Sequence, residues 1–195
     1  MKILQISGSG RNSGKTTLGC ALIQAFPHLR WSALKLTPHA HADMRSPDSA
    51  PPSKDTDRFL AAGAVAAQLL DAPLSHSLLV AHEPTADVLL VESGQPIPKT
   101  PWPLLHLAIA PSAAPASWKP EFVARLAASA NDQHHSRFDA LLLHGEANAE
   151  IPRCIPPRLT MFRQSNPALL TPLLLAFVAN FLAMENRMLQ QTARG

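Results

Sequence analysis

Apolar residues in this chain come in short unbroken runs, set apart by breaks rich in glycine or proline. Ile3-Leu4-Gln5-Ile6 predicts a strand over about 2–7, and the periodic segment from Leu18 to Phe26 predicts a helix over about 15–26, stopped by Pro27. Further strand-like runs follow at Trp31–Leu36, Ala64–Leu70, Asp87–Glu92, Leu104–Ala110 and Phe138–Leu143. Between them, Lys54–Ala62 reads as a short helix closed by Gly63, and about 120–131 as another. A last helix starts at Asn166-Pro167 and runs to about 190. Strands such as Asp87-Val88-Leu89-Leu90-Val91-Glu92 are apolar at every interior position, so both their faces must be covered. Alternating strands and helices of this kind predict an α/β fold, a three-layer and mostly parallel sheet with helices on both faces. In such sheets ligands gather at the carboxyl ends of the strands.

The turn after the first strand carries the chemistry. Ser9-Gly10-Arg11-Asn12-Ser13-Gly14-Lys15-Thr16-Thr17 lies between strand and helix, the context of a phosphate-binding P-loop. A tight turn there aims successive backbone N–H groups inward, and the following helix adds the positive end of its dipole. Lys15 is then placed for the β- and γ-phosphates, the Thr16 hydroxyl for Mg²⁺, and Thr17 for the α-phosphate side. The consensus glycine five residues before Gly14 is Ser9 here, flanked by Gly8 and Gly10. A plain glycine-rich turn is the competing reading, but turn glycines alone do not require Lys-Thr-Thr after the second one. The expected fold is therefore that of P-loop NTPases.

Glu92 is the second candidate. It ends a buried apolar run and is followed by Ser93-Gly94, the pattern of a carboxylate that holds Mg²⁺ beside a P-loop. Asp87, at the other end of the run, is expected to meet only solvent. Lys54, Asp55 and Arg58 form a third group: Asp55 could stand behind the Mg²⁺, and Arg58 or Lys54 could neutralise phosphate. An exposed helix start capped by Asp55 or Asp57 explains the same residues equally well. His39, His41 and Asp43 could ligate a metal, yet three groups in one short loop do not easily close a tetrahedral site, and a solvated loop is the simpler reading. His144-Gly145-Glu146 lacks the P-C-x-x-C that would make it a zinc deaminase motif, and His134-His135 reads as a solvated connection.

Composition narrows the setting. The chain of 195 residues is read as a single domain over 1–195, its part after about residue 111 being divergent and ending in an apolar helix. A net charge of +3 with 16 % charged residues is too mild to point to nucleic acid. Nineteen prolines gather mainly in 38–52, 96–103 and 111–120, which marks those stretches as loops. Cys20 and Cys154 form no C-x-x-C pair, and Met1–Ile6 has no signal-peptide layout, so a reduced, cytoplasmic setting is expected. The apolar stretch Ala168–Met184 contains Thr171, Pro172 and Asn180, and is read as a buried or interface helix rather than a membrane span. Its stripe Leu170, Leu174, Phe177, Phe181, Met184 and Met188 is expected in the core, with Leu173, Val178 and Leu182 beside it as the case for a homodimer interface.

Beyond the P-loop, Asn12–Leu18 is followed by Lys35, His39, His41 and Asp43, then Lys54-Asp55-Thr56, Arg58 and Ala62-Gly63-Ala64, and finally Asp87–Glu92. Over roughly residues 1–95 this set resembles the molybdopterin-guanine dinucleotide biosynthesis protein B (MobB) family. It departs from the family at Ser9, Leu36 and Ser53, in a longer loop before Lys54, and in Ser93 standing before Gly94. The resemblance implies a GTP-binding accessory protein with weak GTPase activity in molybdenum cofactor maturation. Its partners would be a molybdopterin guanylyltransferase and molybdopterin. It also marks Lys35, Asp55 and Arg58 as nucleotide-site residues beside Gly10, Arg11, Asn12, Ser13, Gly14, Lys15, Thr16 and Thr17, with Lys15 and Glu92 catalytic and Thr16 and Glu92 on the metal. Hydrolysis is expected to be slow, because no water-positioning residue or arginine finger stands out, with Arg11 a candidate finger in cis. No N-K-x-D guanine-reading motif is present, so ATP remains open. Two further readings share the scaffold. One is an ATP-dependent small-molecule kinase or ligase with Asp43 or Asp55 as base, and the other is a non-catalytic, nucleotide-gated partner protein.

Overall fold

A computed structural model describes residues 1–37, 54–70, 79–81, 85–97, 99–113, 115–129, 137–146 and 152–192. Its strands are β1 Lys2–Gly8, β2 Trp31–Leu36, β3 Ala66–Leu70, β4 Val88–Glu92, β5 Leu104–Pro111, β6 Ala140–His144 and β7 Thr160–Gln164. The helices are α1 Lys15–Ala25, α2 Lys54–Ala61, α3 Pro120–Ala128 and α4 Pro172–Thr192. All seven strands pair in parallel, in the order β3-β2-β4-β1-β5-β6-β7. This is the α/β architecture that the apolar runs predict.

The two faces of the sheet follow from strand parity. On one face, Leu4, Ile6, Val88, Leu90, Leu107 and Ile109 pack under α1, α2 and α4, through Leu18 and Leu22, Phe59, and Leu174, Val178 and Phe181. On the other, Ala108, Ala110, Leu141 and Leu143 meet Trp118, Phe122 and Leu126 around α3. Farther along that face, Ile3, Leu34, Leu89 and Val91 pack with Leu79 and Ile97.

Four details differ from the sequence reading. β7 was not expected; it is an edge strand behind a proline-rich segment and buries only Phe162 and Gln164. The closing helix starts at Pro172, a residue suited to a first helical turn, and Asn166-Pro167 lies in the turn before it. The buried stripe of α4 runs through Val178, whereas Leu173 is 75 % exposed. Asp87 does not simply face solvent: it accepts from the Arg30 backbone N–H at 2.8 Å and pairs with the Arg30 guanidinium at 2.8 Å. His39, His41, Asp43, Ser53, His134 and His135 lie outside the described residues. Among the described residues no helix is long and apolar enough to cross a membrane.

Candidate functional site

β1 ends at the centre of the sheet, and the turn after it closes back onto α1. Asn12 (φ 57°) and Gly14 (φ 89°) both take the left-handed conformation, which curls residues 10–15 into a concave loop. Gly14 is the N-cap of α1, so the helix's unpaired N–H groups open onto that concavity. The glycine requirement falls at Gly14 and Gly8. A Cβ on Gly14 would stand 2.5 Å from Pro167 Cγ, and one on Gly8 would stand 2.0 Å from Ser13 Oγ. Ser9 needs no such freedom. It is buried, its N–H donates to the Ile109 carbonyl at 3.1 Å, and its own carbonyl accepts from Lys119 N–H at 2.9 Å.

Lys15 reaches back across the loop to the Gly10 carbonyl at 3.2 Å and Ser13 Oγ at 3.4 Å. Burial holds its ammonium below the ordinary lysine value, partly countered by Glu92. Thr16 Oγ1 donates to Glu92 Oε2 at 2.7 Å, and Glu92 is 4 % exposed. Strand register explains the rest of the acid's surroundings. Glu92 lies level with Lys35 on β2 and Ile6 on β1, so Lys35 Nζ stands 3.3 Å from Glu92 Oε1. Lys35 also pairs with Asp55 at the start of α2, and Arg58 pairs with Asp55 at 3.7 Å while donating to Thr17 Oγ1 at 2.9 Å. Burial works against both charges of the Lys35–Asp55 pair, but each partner outweighs it. Lys35 lies above its ordinary value, raised by Asp55 and Glu92, and Asp55 below its own, lowered chiefly by Lys35.

One cavity of about 570 Å³ collects Gly10, Arg11, Asn12, Ser13, Gly14, Lys15, Thr16, Thr17, Lys35, Asp55, Arg58 and Glu92, so these candidates stand around one space. Lys54 opens α2. The cavity continues past Gly94 to Lys119, Phe122 and Arg125 of the α3 flank.

Two supports beneath the site escaped the sequence reading. His144 Nε2 donates to the Ser13 carbonyl at 3.0 Å, bracing the loop from the end of β6, and burial keeps this imidazole below its ordinary value. A buried polar seam also lies between the two cores on the α3 face. Three side chains there take successive carbonyls of the turn after Glu92: Ser7 Oγ to Ser93 O at 2.6 Å, Arg125 Nη1 to Gly94 O at 2.8 Å, and Gln5 Nε2 to Gln95 O at 2.6 Å. The Ser7 hydroxyl spends its single proton on Ser93, so His106 Nε2, 2.8 Å away, is the donor to Ser7 Oγ. His106 stays neutral, because burial and the adjacent Arg125 hold it well below its ordinary value. Burial brings Arg125 itself down to about 10. Gln5, Ser7 and His106 are polar interruptions in otherwise apolar strands, the one sequence signal that could have revealed the seam.

A seven-stranded parallel sheet whose central strand leads through a left-handed glycine into a Lys-Thr helix start, with an acid on the neighbouring strand, has the P-loop NTPase fold. Solved structures with this fold match nearly the whole chain. The hydrogenase maturation factor HypB of Archaeoglobus fulgidus is similar at 15 % identity and a TM-score of 0.57, over 93 % of this chain and 90 % of that one. HypB of Helicobacter pylori, solved in complex with nickel, matches at 15 % and 0.57 over 96 % and 88 %. MobB of Bacillus subtilis matches at 19 % and 0.48 over 93 % and 98 %. No protein-family model matches the chain, and no curated protein is found similar to it.

Proposed function

We propose that this protein binds a nucleoside triphosphate, GTP rather than ATP, with Mg²⁺, and hydrolyses it slowly as an accessory factor in molybdenum cofactor maturation. The observation that carries the reading is the contact of Thr16 Oγ1 with Glu92 Oε2 at 2.7 Å, beside a loop whose amides and Lys15 converge on one cavity. Backbone amides 11–16 and Lys15 hold the β- and γ-phosphates, which restores to Lys15 the charge stabilisation that burial withdraws.

The Thr16 hydroxyl and Glu92 carboxylate are hard oxygen donors, the kind Mg²⁺ takes, and they already touch. Two such donors alone suit an ion that completes its shell with phosphate and water. When bound, Mg²⁺ neutralises charge developing on the β- and γ-oxygens. Lys35, itself braced by Asp55, pairs with Glu92 and orients it, and Arg58 fixes Thr17 at the α-phosphate side.

The cofactor pathway, with a molybdopterin guanylyltransferase and molybdopterin as partners, rests on the resemblance of residues 1–95 to the MobB family. The continuation of the cavity to Lys119, Phe122 and Arg125 favours a second reading, a small-molecule kinase with its acceptor on that flank. Calorimetric titration with GTP, ATP and GDP, with and without Mg²⁺, tests both. Lys15→Ala should abolish binding of all three, and unchanged affinity in that variant would overturn both readings. Turnover with and without molybdopterin then separates them, since rapid transfer from ATP to an acceptor supports the kinase.

A further inference from the structure

The cavity of about 570 Å³ has two ends, one at α2 and one at α3. At the α2 end the cations are matched, Lys35 with Asp55 and Glu92, and Arg58 with Asp55. The α3 end presents Lys119 and Arg125 with one carboxylate, Glu121. Lys119 Nζ lies 3.8 Å from Glu121 Oε1, but both side chains are more than half exposed, so the pair holds little. Arg125 is tied to a neutral group, the Gly94 carbonyl at 2.8 Å, and lies 4.7 Å from the centre of the Phe138 ring. Around the whole cavity six lining side chains are lysine or arginine and three are carboxylates. A magnesium-bound triphosphate tail, about four negative charges against two positive, leaves part of that excess unmatched.

The α3 end is fixed to the phosphate loop. Lys119 is the N-cap of α3, and its N–H donates to the Ser9 carbonyl at 2.9 Å. Next to it, Trp118 is buried edge-on against Phe122, and its Nε1 donates to the Pro111 carbonyl at 3.2 Å. Lys119 also stands close enough to Lys15 to act on it. Burial lowers the Lys15 ammonium first, and the positive charges of Lys35 and Lys119 lower it further. Thr17 lies on the α-phosphate side of the loop, so a triphosphate crossing Lys15 points its terminal phosphate toward Gly10, the neighbour of Ser9.

Resting on the phosphate-loop reading, we infer that the α3 end of this cavity binds a second ligand, a small molecule bearing a phosphate monoester, beside the terminal phosphate of the nucleotide. Lys119, Phe122 and Arg125 recur at every third residue and so share one face of α3, the face that lines the cavity. Two cations on that face suit a dianion better than a carboxylate. The Lys119 ammonium is a point charge on a flexible stem, able to leave Glu121 for the ligand. The Arg125 guanidinium is the rigid partner, held in orientation by Gly94 and Phe138. Because Arg125 grips the carbonyl two residues past Glu92, the second ligand and the metal carboxylate share one support.

The test is calorimetric titration of inorganic phosphate, with acetate as the carboxylate control, into protein saturated with Mg²⁺ and the non-hydrolysable analogue GMPPNP. AMPPNP replaces it if the protein takes adenine. The analogue fills the phosphate loop, so the added phosphate reports on the α3 end. The loaded parent should bind phosphate at least about ten-fold more tightly than acetate, and Lys119→Gln should weaken phosphate about ten-fold, the worth of one hydrogen bond to a charged group. Lys119→Arg should retain it. The affinity of Lys119→Gln for the analogue itself should stay within about three-fold of the parent, the screened effect of one charge at a distance. If the loaded parent binds no phosphate, or Lys119→Gln binds it equally well, the second site falls and the phosphate-loop reading stands. Acetate binding as tightly as phosphate would overturn the ligand class. If Lys119→Gln loses GMPPNP but keeps GDP, Lys119 serves the terminal phosphate, and the second site falls. If neither analogue binds the parent, the phosphate-loop reading falls and takes this inference with it.

Discussion

Replacing Lys35 by methionine probes the charge balance of the site, because it keeps the length and apolar stem of the side chain and removes only the ammonium. Lys35 stands between Glu92 and Asp55, with side-chain exposures of 19 %, 5 % and 31 % respectively. Removing one partner of a fully buried ion pair costs about 3–5 kcal/mol. Solvent screening at Asp55 lowers the expectation to about 2–4 kcal/mol at pH 7. In a domain of this size each kcal/mol moves the melting temperature by about 2–4 °C, so Lys35→Met should melt roughly 5–15 °C lower than the parent. The pH dependence identifies the cause. Asp55 has its carboxyl lowered in the folded protein, so its share of the stability is present above the unfolded value of about 3.9 and is lost as pH falls through the folded value. Lys35 is raised, so its share is complete below the unfolded lysine value of about 10.4 and fades as pH rises through the folded one. The gap between parent and variant, followed by circular dichroism melts from pH 3.5 to 11, should therefore form a plateau that narrows at both ends. A gap under 1 °C at pH 7 would refute the reasoning. A gap of constant size at every pH would assign the loss to packing instead of charge.

Two other substitutions test the scaffold of the site. Gly14→Ala forces a side chain into the left-handed region, at about 1–2 kcal/mol, and against Pro167 Cγ at 2.5 Å, at about 1–3 kcal/mol more. Its melting temperature should drop by several degrees, with weaker binding of inorganic triphosphate by calorimetry; parent-like values in both would show that the loop has no such constraint. Ser7→Ala leaves the Ser93 carbonyl without its side-chain donor and the His106 Nε2–H without an acceptor, a loss of about 1–3 kcal/mol that a urea melt should detect. An unchanged midpoint would mean that the seam does not hold the turn after Glu92.

The central strands, the glycine-rich turn after β1 and the place of Glu92 at a strand end were legible because each is written in local sequence. An apolar run needs covering on both faces, and a Gly-Lys-Thr-Thr spacing has few uses besides phosphate. The adjacency of Lys35 and Glu92 was not legible, since it arises from the register of β2 against β4, which no local pattern encodes. β7 escaped because an edge strand with alternating exposure, preceded by Pro152, Pro156 and Pro157, carries a weak apolar signal. Asn166-Pro167 carries the local pattern of a helix start, an Asn followed by a Pro. The actual place of Pro167, against Gly14, depends on a contact between residues far apart in the chain. The roles of His144, His106 and Arg125 likewise appear only when β5, β6 and α3 are brought beneath the loop.

The placement of β1 has a consequence for biosynthesis. Its two neighbours are β4 and β5, so Lys2 must await Val88, and Ile3 must await Leu104, before either edge of this strand is satisfied. The segment that becomes the centre of the molecule thus stays unpaired while the residues between it and its two partner strands are being made. During that interval its exposed apolar run is a target for holdase chaperones and a seed for self-association. Slow synthesis across residues 9–87 should harm the yield of this protein more than the same delay after Pro111, once both partners of the strand have emerged.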